Sequence, residues 1–168
     1  GKEIGVVEIG TAGPMQFIHG RLNIGEAMAP PLIRHVKEYI KPEKTVIIDA
    51  PPGTSCPVIA AVKGSDFCIL VTEPTPFGLN DLILAVEVVR KLGMPFGVVI
   101  NRSDIGDNKT EEYCKQESIS VLMRIPFKRE IAEAYSKGIP LIKTEPKYKI
   151  DFANMYEVIR NVINLRKA

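Results

Sequence analysis

One acidic residue stands where a parallel α/β sheet would hold a ligand, directly after an apolar run. Asp49 ends the run Thr45–Ile48 and begins Asp-Ala-Pro-Pro-Gly, in which the prolines stiffen the chain and Gly53 permits close backbone approach. Such a carboxylate can hold magnesium in a phosphoryl-transfer site, and the N–H groups of Gly53 and Thr54 would add an anion site at the next helix. The alternative is a strand-to-helix turn in which Asp49 is only a helix-terminal hydrogen-bond acceptor.

A second polar segment, Asn101-Arg102-Ser103-Asp104, follows the apolar run Phe96–Ile100 and has the form N-[K/R]-x-D. An asparagine amide can donate to and accept from one edge of adenine, at N7 and N6. The same four-residue form is also common in turns, where asparagine and aspartate bond to nearby backbone. The pattern leaves both interpretations open.

Two further loops follow apolar runs but carry weaker signals. Pro126-Phe127-Lys128 could pack its backbone and ring against a base, or could simply pack as a loop. Glu73-Pro74-Thr75-Pro76-Phe77-Gly78 is predicted to be a rigid structural loop, because its prolines fix the backbone.

Several chemistries lack their motifs in these 168 residues. The sequence contains no G-x-x-x-x-G-K-[S/T] phosphate loop, no zinc-type histidine motif and no serine-hydrolase motif. Its three cysteines, Cys56, Cys68 and Cys114, are widely spaced and form no C-x-x-C. They predict neither a disulfide framework nor an iron–sulfur ligand set, and they indicate a reducing compartment.

The elements that must position these residues alternate between short apolar strands and amphipathic helices, which predicts a three-layer α/β/α fold with a mainly parallel sheet. Gly10–Pro14 predicts the turn of a hairpin within residues 1–25. Strands are predicted at Thr45–Asp49, Phe67–Thr72, Phe96–Asn101 and Val121–Ile125. Helices are predicted at Glu26–Ile40 (where Pro30-Pro31 could break the helix), Leu79–Leu92, Thr110–Glu117, Arg129–Lys137 and Asp151–Leu165.

Length and charge exclude other classes of protein. A chain of 168 residues suits a single domain, and 22 Lys+Arg against 20 Asp+Glu gives no overall electrostatic case for nucleic acid. No apolar run approaches 18 residues, so neither a membrane span nor a stable membrane anchor is predicted. The expected location is the cytoplasm.

Three segments together resemble the MinD/ParA/Mrp superfamily of deviant Walker P-loop ATPases, most closely the members with an inserted two-cluster ferredoxin domain. They are TVIIDAPPGTSCPVIAAVKGSDFCILVTEPTPFGLNDL at 45–82, GVVINRSD at 97–104 and IPFKREIAEAYSKGIPLI at 125–142. The segment Gly20–Glu26 is similar to the stretch that follows the ferredoxin insert. The resemblance covers about residues 16–145.

The resemblance implies a role for each matching residue. Asp49 corresponds to the Walker B aspartate, which acts on magnesium through water, and Pro52 and Gly53 fall in switch II, which senses the γ-phosphate. Asn101, with Arg102 beside it, corresponds to the residue that reads adenine. Pro126 and Phe127 line the base pocket. Asp104 extends the match toward the guanine-reading N-K-x-D of GTPases, so ATP is favoured by the family while GTP stays open.

The family's phosphate loop and cluster cysteines have no counterpart in this sequence, and the chain begins at Gly1 instead of Met. The expectation is therefore a C-terminal portion of an ATPase coupled to iron–sulfur or electron-transfer chemistry, with its 4Fe-4S clusters in a preceding segment and little activity alone. A homodimer, or a chain supplying the phosphate-loop half, is the expected partner, along with an electron-transfer or iron–sulfur protein. Alternatives are a non-catalytic binding or assembly module of the same fold, and a superfamily amidase or ligase.

Overall fold

The computed structural model describes the backbone of residues 3–167 and the side chains of residues 3–166, so Gly1, Lys2 and Ala168 lie outside it. The described chain divides into two compact units, residues 1–64 and residues 65–168, and each is described by itself. The assignment of all 168 residues to one domain stays a prediction. None of the helices within residues 3–167 is both long and apolar enough to cross a bilayer.

The first unit contains the predicted hairpin. Strands β1 (Gly5–Ala12) and β2 (Met15–Leu22) pair antiparallel around Gly13-Pro14, with Glu8 opposite His19. Two helices follow, α1 (Ala29–Lys37) and α2 (Cys56–Val62). The prolines at 30 and 31 occupy the first turn of α1 and do not break it, because the N–H groups they lack have no partner in a first turn.

A lysine ties the two helices of this unit together. Lys37 Nζ donates to the carbonyl oxygens of Ala60, Ala61 and Lys63 at 3.2, 2.8 and 2.6 Å. These acceptors belong to the last turn of α2 and the residue after it, so the ammonium group caps a helix end that has no basic residue of its own. Burial against α2 lowers the pKa of Lys37.

The segment Thr45–Asp49 is not a strand, contrary to the prediction. Ile47 is 92% exposed and Val46 is 44% exposed, whereas an apolar strand of a parallel sheet is stable when neighbours pair with it and helices cover it. Helix α2 also starts later than predicted, with Ser55 as its N-cap. Asp49 is therefore not the cap of that helix.

The second unit is an α/β layer structure with a parallel sheet in the order β3-β4-β5 and helices on both faces. Its strands are β3 (Cys68–Thr72), β4 (Phe96–Asn101) and β5 (Val121–Ile125). Its helices are α3 (Pro76–Lys91), α4 (Lys109–Gln116), α5 (Arg129–Ser136), α6 (Leu141–Thr144) and α7 (Lys147–Lys167). The predicted fold class is confirmed.

The core of this unit lies between α3, α4 and the central strand. Its buried side chains are Leu82, Val86, Val98, Ile100, Cys114 and Ile119. Burying an aliphatic side chain of this size contributes about 1.5–3 kcal/mol. Because β4 is paired on both edges and buried on both faces, its carboxyl end is a fixed point from which the following loop starts.

Candidate functional site

The carboxyl ends of the three parallel strands lie at one edge of the sheet and carry three loops, 73–75, 101–108 (which includes the last residue of β4) and 126–128. We call this group of loops the base-side cluster. Ser103 N–H donates to the carbonyl of Ile125 at 3.0 Å, which fastens the loop after β4 to the end of β5. Five sequence-predicted site residues lie in this cluster: Asn101, Arg102, Asp104, Pro126 and Phe127.

Glu73 connects the loop after β3 to the predicted base-reading residue. Asn101 Nδ2 donates to Glu73 Oε1 in a long hydrogen bond of 3.4 Å, and Arg102 Nε lies 3.5 Å from the same oxygen. Since one carboxylate oxygen faces both groups, Glu73 orients the asparagine amide and holds the arginine beside it. Asn101 is half-buried, which leaves part of its edge accessible.

The sequence interpretation missed Glu73, because its own loop looks structural. The signal was its register: Thr72 pairs with Ile100, so the residues that follow them, Glu73 and Asn101, end neighbouring parallel strands. The rest of the predicted loop 73–78 is only partly a loop, because α3 starts at Pro76 and not at Leu79. Thr75 Oγ1 accepts from Gly78 N–H at 3.0 Å and so starts helix α3.

Asp104 joins the loop after β4 to the loop after β5. Phe127 N–H donates to Asp104 Oδ1 at 2.6 Å. The Arg102 guanidinium carbon lies 5.5 Å from the centre of the Phe127 ring, within range of a cation–π contact. Phe127 as a whole is 43% exposed, so this cluster presents apolar as well as polar surface.

Gly106 lets the loop after β4 approach the loop after β3. It has a φ of +98°, and a β-carbon placed there would lie 1.9 Å from the carbonyl oxygen of Pro74. Only glycine avoids both the strained backbone and that collision. Arg102 also has a positive φ, of 50°, which is uncommon for a side chain of that size and marks a constrained turn.

The segment after Phe127 is also held by residues near the start of α7. Lys128 Nζ lies 2.7 Å from Glu145 Oε1, and the ion pair raises the pKa of Lys128 and lowers the pKa of Glu145. Tyr148, at the start of α7, is only 1% exposed, and burial raises the pKa of its hydroxyl. The base-side cluster is therefore held by backbone bonds, side-chain bonds and packing within its own unit.

The other predicted site residues, Asp49, Pro52 and Gly53, lie in the first unit on the segment 45–55, and all three are exposed. Gly53 has a φ of +91°, a left-handed backbone that suits glycine. The predicted anion site at Gly53 and Thr54 is not formed as expected, because α2 begins only at Cys56.

The metal-binding capacity of the described residues is small. Within residues 3–166, no three histidine, cysteine or acidic side chains group so as to hold a metal ion. Magnesium in nucleotide sites is held by one or two carboxylates plus the phosphates, so the single carboxylate of Asp49 fits that arrangement. Cys56 is exposed, Cys68 is half-buried and Cys114 is buried, and these thiols do not fit a four-cysteine cluster site.

Comparison with known proteins gives concordant matches. A family profile described as ParA, NUBPL iron-transfer P-loop NTPase, matches residues 41–163. An uncharacterized protein of Methanocaldococcus jannaschii is 34% identical over 149 residues, covering 88% of this chain and 50% of its own length. The iron-sulfur cluster carrier protein of Pyrococcus horikoshii is 30% identical over 115 residues, covering 60% of this chain and 39% of its own length.

A solved structure also matches, that of the Pyrococcus furiosus cell division ATPase MinD. It has a TM-score of 0.62 and 27% identity, and the match covers 79% of this chain and 59% of the MinD chain. The chain spans about half the length of the curated relatives it matches. Because the family profile extends over most of the sequence and includes every candidate site residue, the chain belongs to the ParA/NUBPL iron-transfer family of P-loop NTPases within the MinD/ParA superfamily.

Proposed function

We propose that the second unit of this chain carries the base-binding side of an ATP site, and that Asp49 acts as a magnesium-binding aspartate, in a protein that uses ATP to handle iron–sulfur clusters. The observation that carries the proposal is the base-side cluster. There, Glu73 orients Asn101, and Asp104 and Arg102 hold Phe127, all at the carboxyl ends of neighbouring parallel strands. In open α/β sheets this edge is the ligand-binding edge.

The base is expected to be adenine. With Asn101 Nδ2 turned toward Glu73, the amide oxygen serves as acceptor for an exocyclic amine such as adenine N6. Phe127 and Pro126 would provide the apolar surface on which the base lies, and the Arg102 guanidinium supports the Phe127 ring. Guanine presents an oxygen where adenine presents that amine, so the same arrangement disfavours it.

The phosphate-related residues of the resemblance lie in the first unit. Asp49 would hold magnesium through water, and Pro52 with Gly53 would follow the γ-phosphate as switch II. Held there, magnesium would neutralise negative charge on the phosphates during phosphoryl transfer. Catalysis also needs cationic groups on the phosphates, and these 168 residues hold no phosphate-loop lysine. Hydrolysis by this chain alone is therefore expected to be negligible.

The cargo and partners follow from the relatives. Proteins 26–30% identical to this chain are named iron-sulfur cluster carrier proteins, which supports an iron–sulfur cluster as cargo or electron-transfer group. Since the cysteines described above do not form a ligand set, the cluster would be held elsewhere and passed to a partner. A homodimer, or a chain that supplies the phosphate-loop half, would complete the ATP site, and the cytoplasm is the expected location.

Calorimetric titration of the 168-residue chain with ATP–Mg tests this proposal. We expect binding that weakens about 5- to 100-fold in Asn101→Ala, the range for losing a paired base contact. Asn80→Ala is the matched control, because Asn80 is an exposed asparagine on α3. Absence of ATP binding, or equal binding by both variants, would contradict base recognition by Asn101.

Steady-state hydrolysis provides the second measurement. We expect no significant turnover by the chain alone. Substantial turnover that Asp49→Ala abolishes would contradict the view that another segment must supply the phosphate-binding cations.

A non-catalytic assembly module is the second candidate, because the edge strand β3 carries exposed apolar side chains on one face. On β3, which pairs only with β4 among the described strands, Ile69 is 41% exposed and Val71 is 67% exposed. Unpaired apolar edges promote association with another strand. Sedimentation of the chain distinguishes the candidates: a stable oligomer that binds no nucleotide favours the module, and a monomer counts against it.

A further inference from the structure

Asp104 stands where GTP-binding proteins place the carboxylate of N-K-x-D, which accepts hydrogen bonds from guanine. In that role the carboxylate must face the base and receive the N1–H and N2–H groups. Here Oδ1 faces the backbone instead, and Phe127 N–H donates to it at 2.6 Å. The short distance is typical of a charge-assisted bond, so this oxygen is already used within the protein.

We propose that Asp104 is a positioning residue that fixes the Phe127 wall of the base site and does not itself read the base. The inference rests on the proposed nucleotide-binding function and concerns how the site is built. Three neighbouring residues of the loop after β4 hold the chain at Ile125–Phe127 in place. Arg102 lies over the Phe127 ring, Ser103 N–H bonds to the Ile125 carbonyl, and Asp104 accepts from the Phe127 amide.

The alternative role has a distinct chemical signature. A carboxylate that reads guanine becomes, on change to asparagine, a donor suited to xanthine, which carries an oxygen where guanine carries its N2 amine. A positioning carboxylate loses little on that change, because asparagine retains one oxygen to accept from Phe127 N–H. Alanine removes the acceptor altogether. Asp104→Asn and Asp104→Ala therefore separate the two roles.

The first experiment titrates ATP, GTP and xanthosine triphosphate, each with magnesium, into the 168-residue chain and its variants. We expect Asp104→Ala to weaken ATP binding about 10-fold, as for loss of one charged hydrogen bond, and Asp104→Asn to restore most of it. A gain of xanthosine triphosphate binding by Asp104→Asn would overturn the proposal. Asp107→Ala is the control, since that exposed aspartate accepts from Lys109 N–H in the same loop.

The second experiment needs no nucleotide. Hydrogen exchange at the Phe127 amide, followed by NMR, should accelerate about 10-fold in Asp104→Ala and little in Asp104→Asn or Asp107→Ala. The Ser103 amide, bonded to Ile125, serves as the internal reference for local unfolding. An unchanged exchange rate at the Phe127 amide in Asp104→Ala would overturn the proposed positioning of Phe127 by Asp104.

The two measurements also distinguish failure of this inference from failure of the proposed nucleotide-binding function. If the wild-type chain binds none of the three nucleotides, the proposed function fails and the base-site role of Asp104 fails with it. If nucleotide binds but Asp104→Ala leaves the affinity unchanged, only the positioning role is refuted.

Discussion

The base-side cluster and the segment 45–55 begin from the same sequence pattern and reach different structures. Each has an apolar run followed by a polar residue with proline or glycine close behind. The run Phe96–Asn101 is a fully paired strand whose loop is fastened by neighbours, whereas the run Thr45–Asp49 is exposed and forms no strand. The difference teaches that an apolar run fixes the polar loop after it only where neighbouring strands pair with that run.

The largest effect is expected when one isoleucine in each of the two regions is replaced by alanine. Ile100 is 1% exposed and belongs to the core, while Ile47 is 92% exposed. Ile100→Ala should lower the free energy of unfolding by about 2–5 kcal/mol, because it leaves a cavity. Ile47→Ala should change it by less than about 0.5 kcal/mol. Urea unfolding measures both, and similar losses would refute the contrast.

The next test concerns the close approach at Gly106. Gly106→Ala adds a β-carbon against the Pro74 carbonyl as well as backbone strain, and should cost on the order of 3 kcal/mol. Gly138→Ala is the control, because Gly138 has a φ of +70° but open space around it. The strain alone should cost about 1–2 kcal/mol. If both variants unfold at the same urea concentration, the approach to Pro74 is not tight.

A smaller effect is expected at the helix caps that follow the two regions. Thr75 caps α3 through a side-chain bond to Gly78 N–H, whereas Ser55 at the start of α2 makes no such bond. Thr75→Ala should destabilise by about 1 kcal/mol. Ser55→Ala should stay within about 0.5 kcal/mol of the wild type. Thermal unfolding of both variants checks this, with Thr75→Ser expected to retain most of the stability.

The smallest effect is the pH dependence of the Lys128–Glu145 pair. Because the pKa of Glu145 is lowered, its contribution is present above the ordinary glutamate pKa and is lost as the pH falls through the lowered value. Because the pKa of Lys128 is raised, its contribution is lost as the pH rises through that raised value.

Glu145→Gln should therefore reduce stability slightly between about pH 5 and pH 10 and converge with the wild type at acid pH. Thermal unfolding across this range, repeated at high salt to screen the pair, measures the difference. A difference that persists unchanged at acid pH would show that the two side chains contribute by packing and not by charge.

The local sequence pattern was sufficient to predict the strands that pair within the sheet. The bounds of β4 and β5 match the predicted strands, because short apolar runs between turn residues are typical of strands in a parallel sheet. The strand predicted at Thr45–Asp49 was wrong, because a local sequence pattern does not reveal whether neighbouring strands pair with the segment. The helix predicted from Glu26 starts at Ala29, because Pro30 and Pro31 suit the first turn of a helix and would break its interior.

The sequence predicted which residues lie in the base-side cluster, but it did not predict the hydrogen bonds between them. Asn101 and Phe127 follow strands, so their meeting at one edge could be foreseen. The Glu73 contact to Asn101 depends on strand register, which a single loop does not reveal. The bond from Phe127 N–H to Asp104 depends on the turn at Arg102, whose positive φ no sequence rule required.

The most direct test of the central claim is amide NMR of the 168-residue chain titrated with ATP–Mg and, separately, with tripolyphosphate–Mg. The base-side cluster should shift with ATP and not with tripolyphosphate, because only ATP carries a base, and the largest shifts should fall at Asn101, Arg102 and Phe127. If ATP shifts none of these amides, or if tripolyphosphate shifts them equally, the cluster does not recognise a base and the account is wrong.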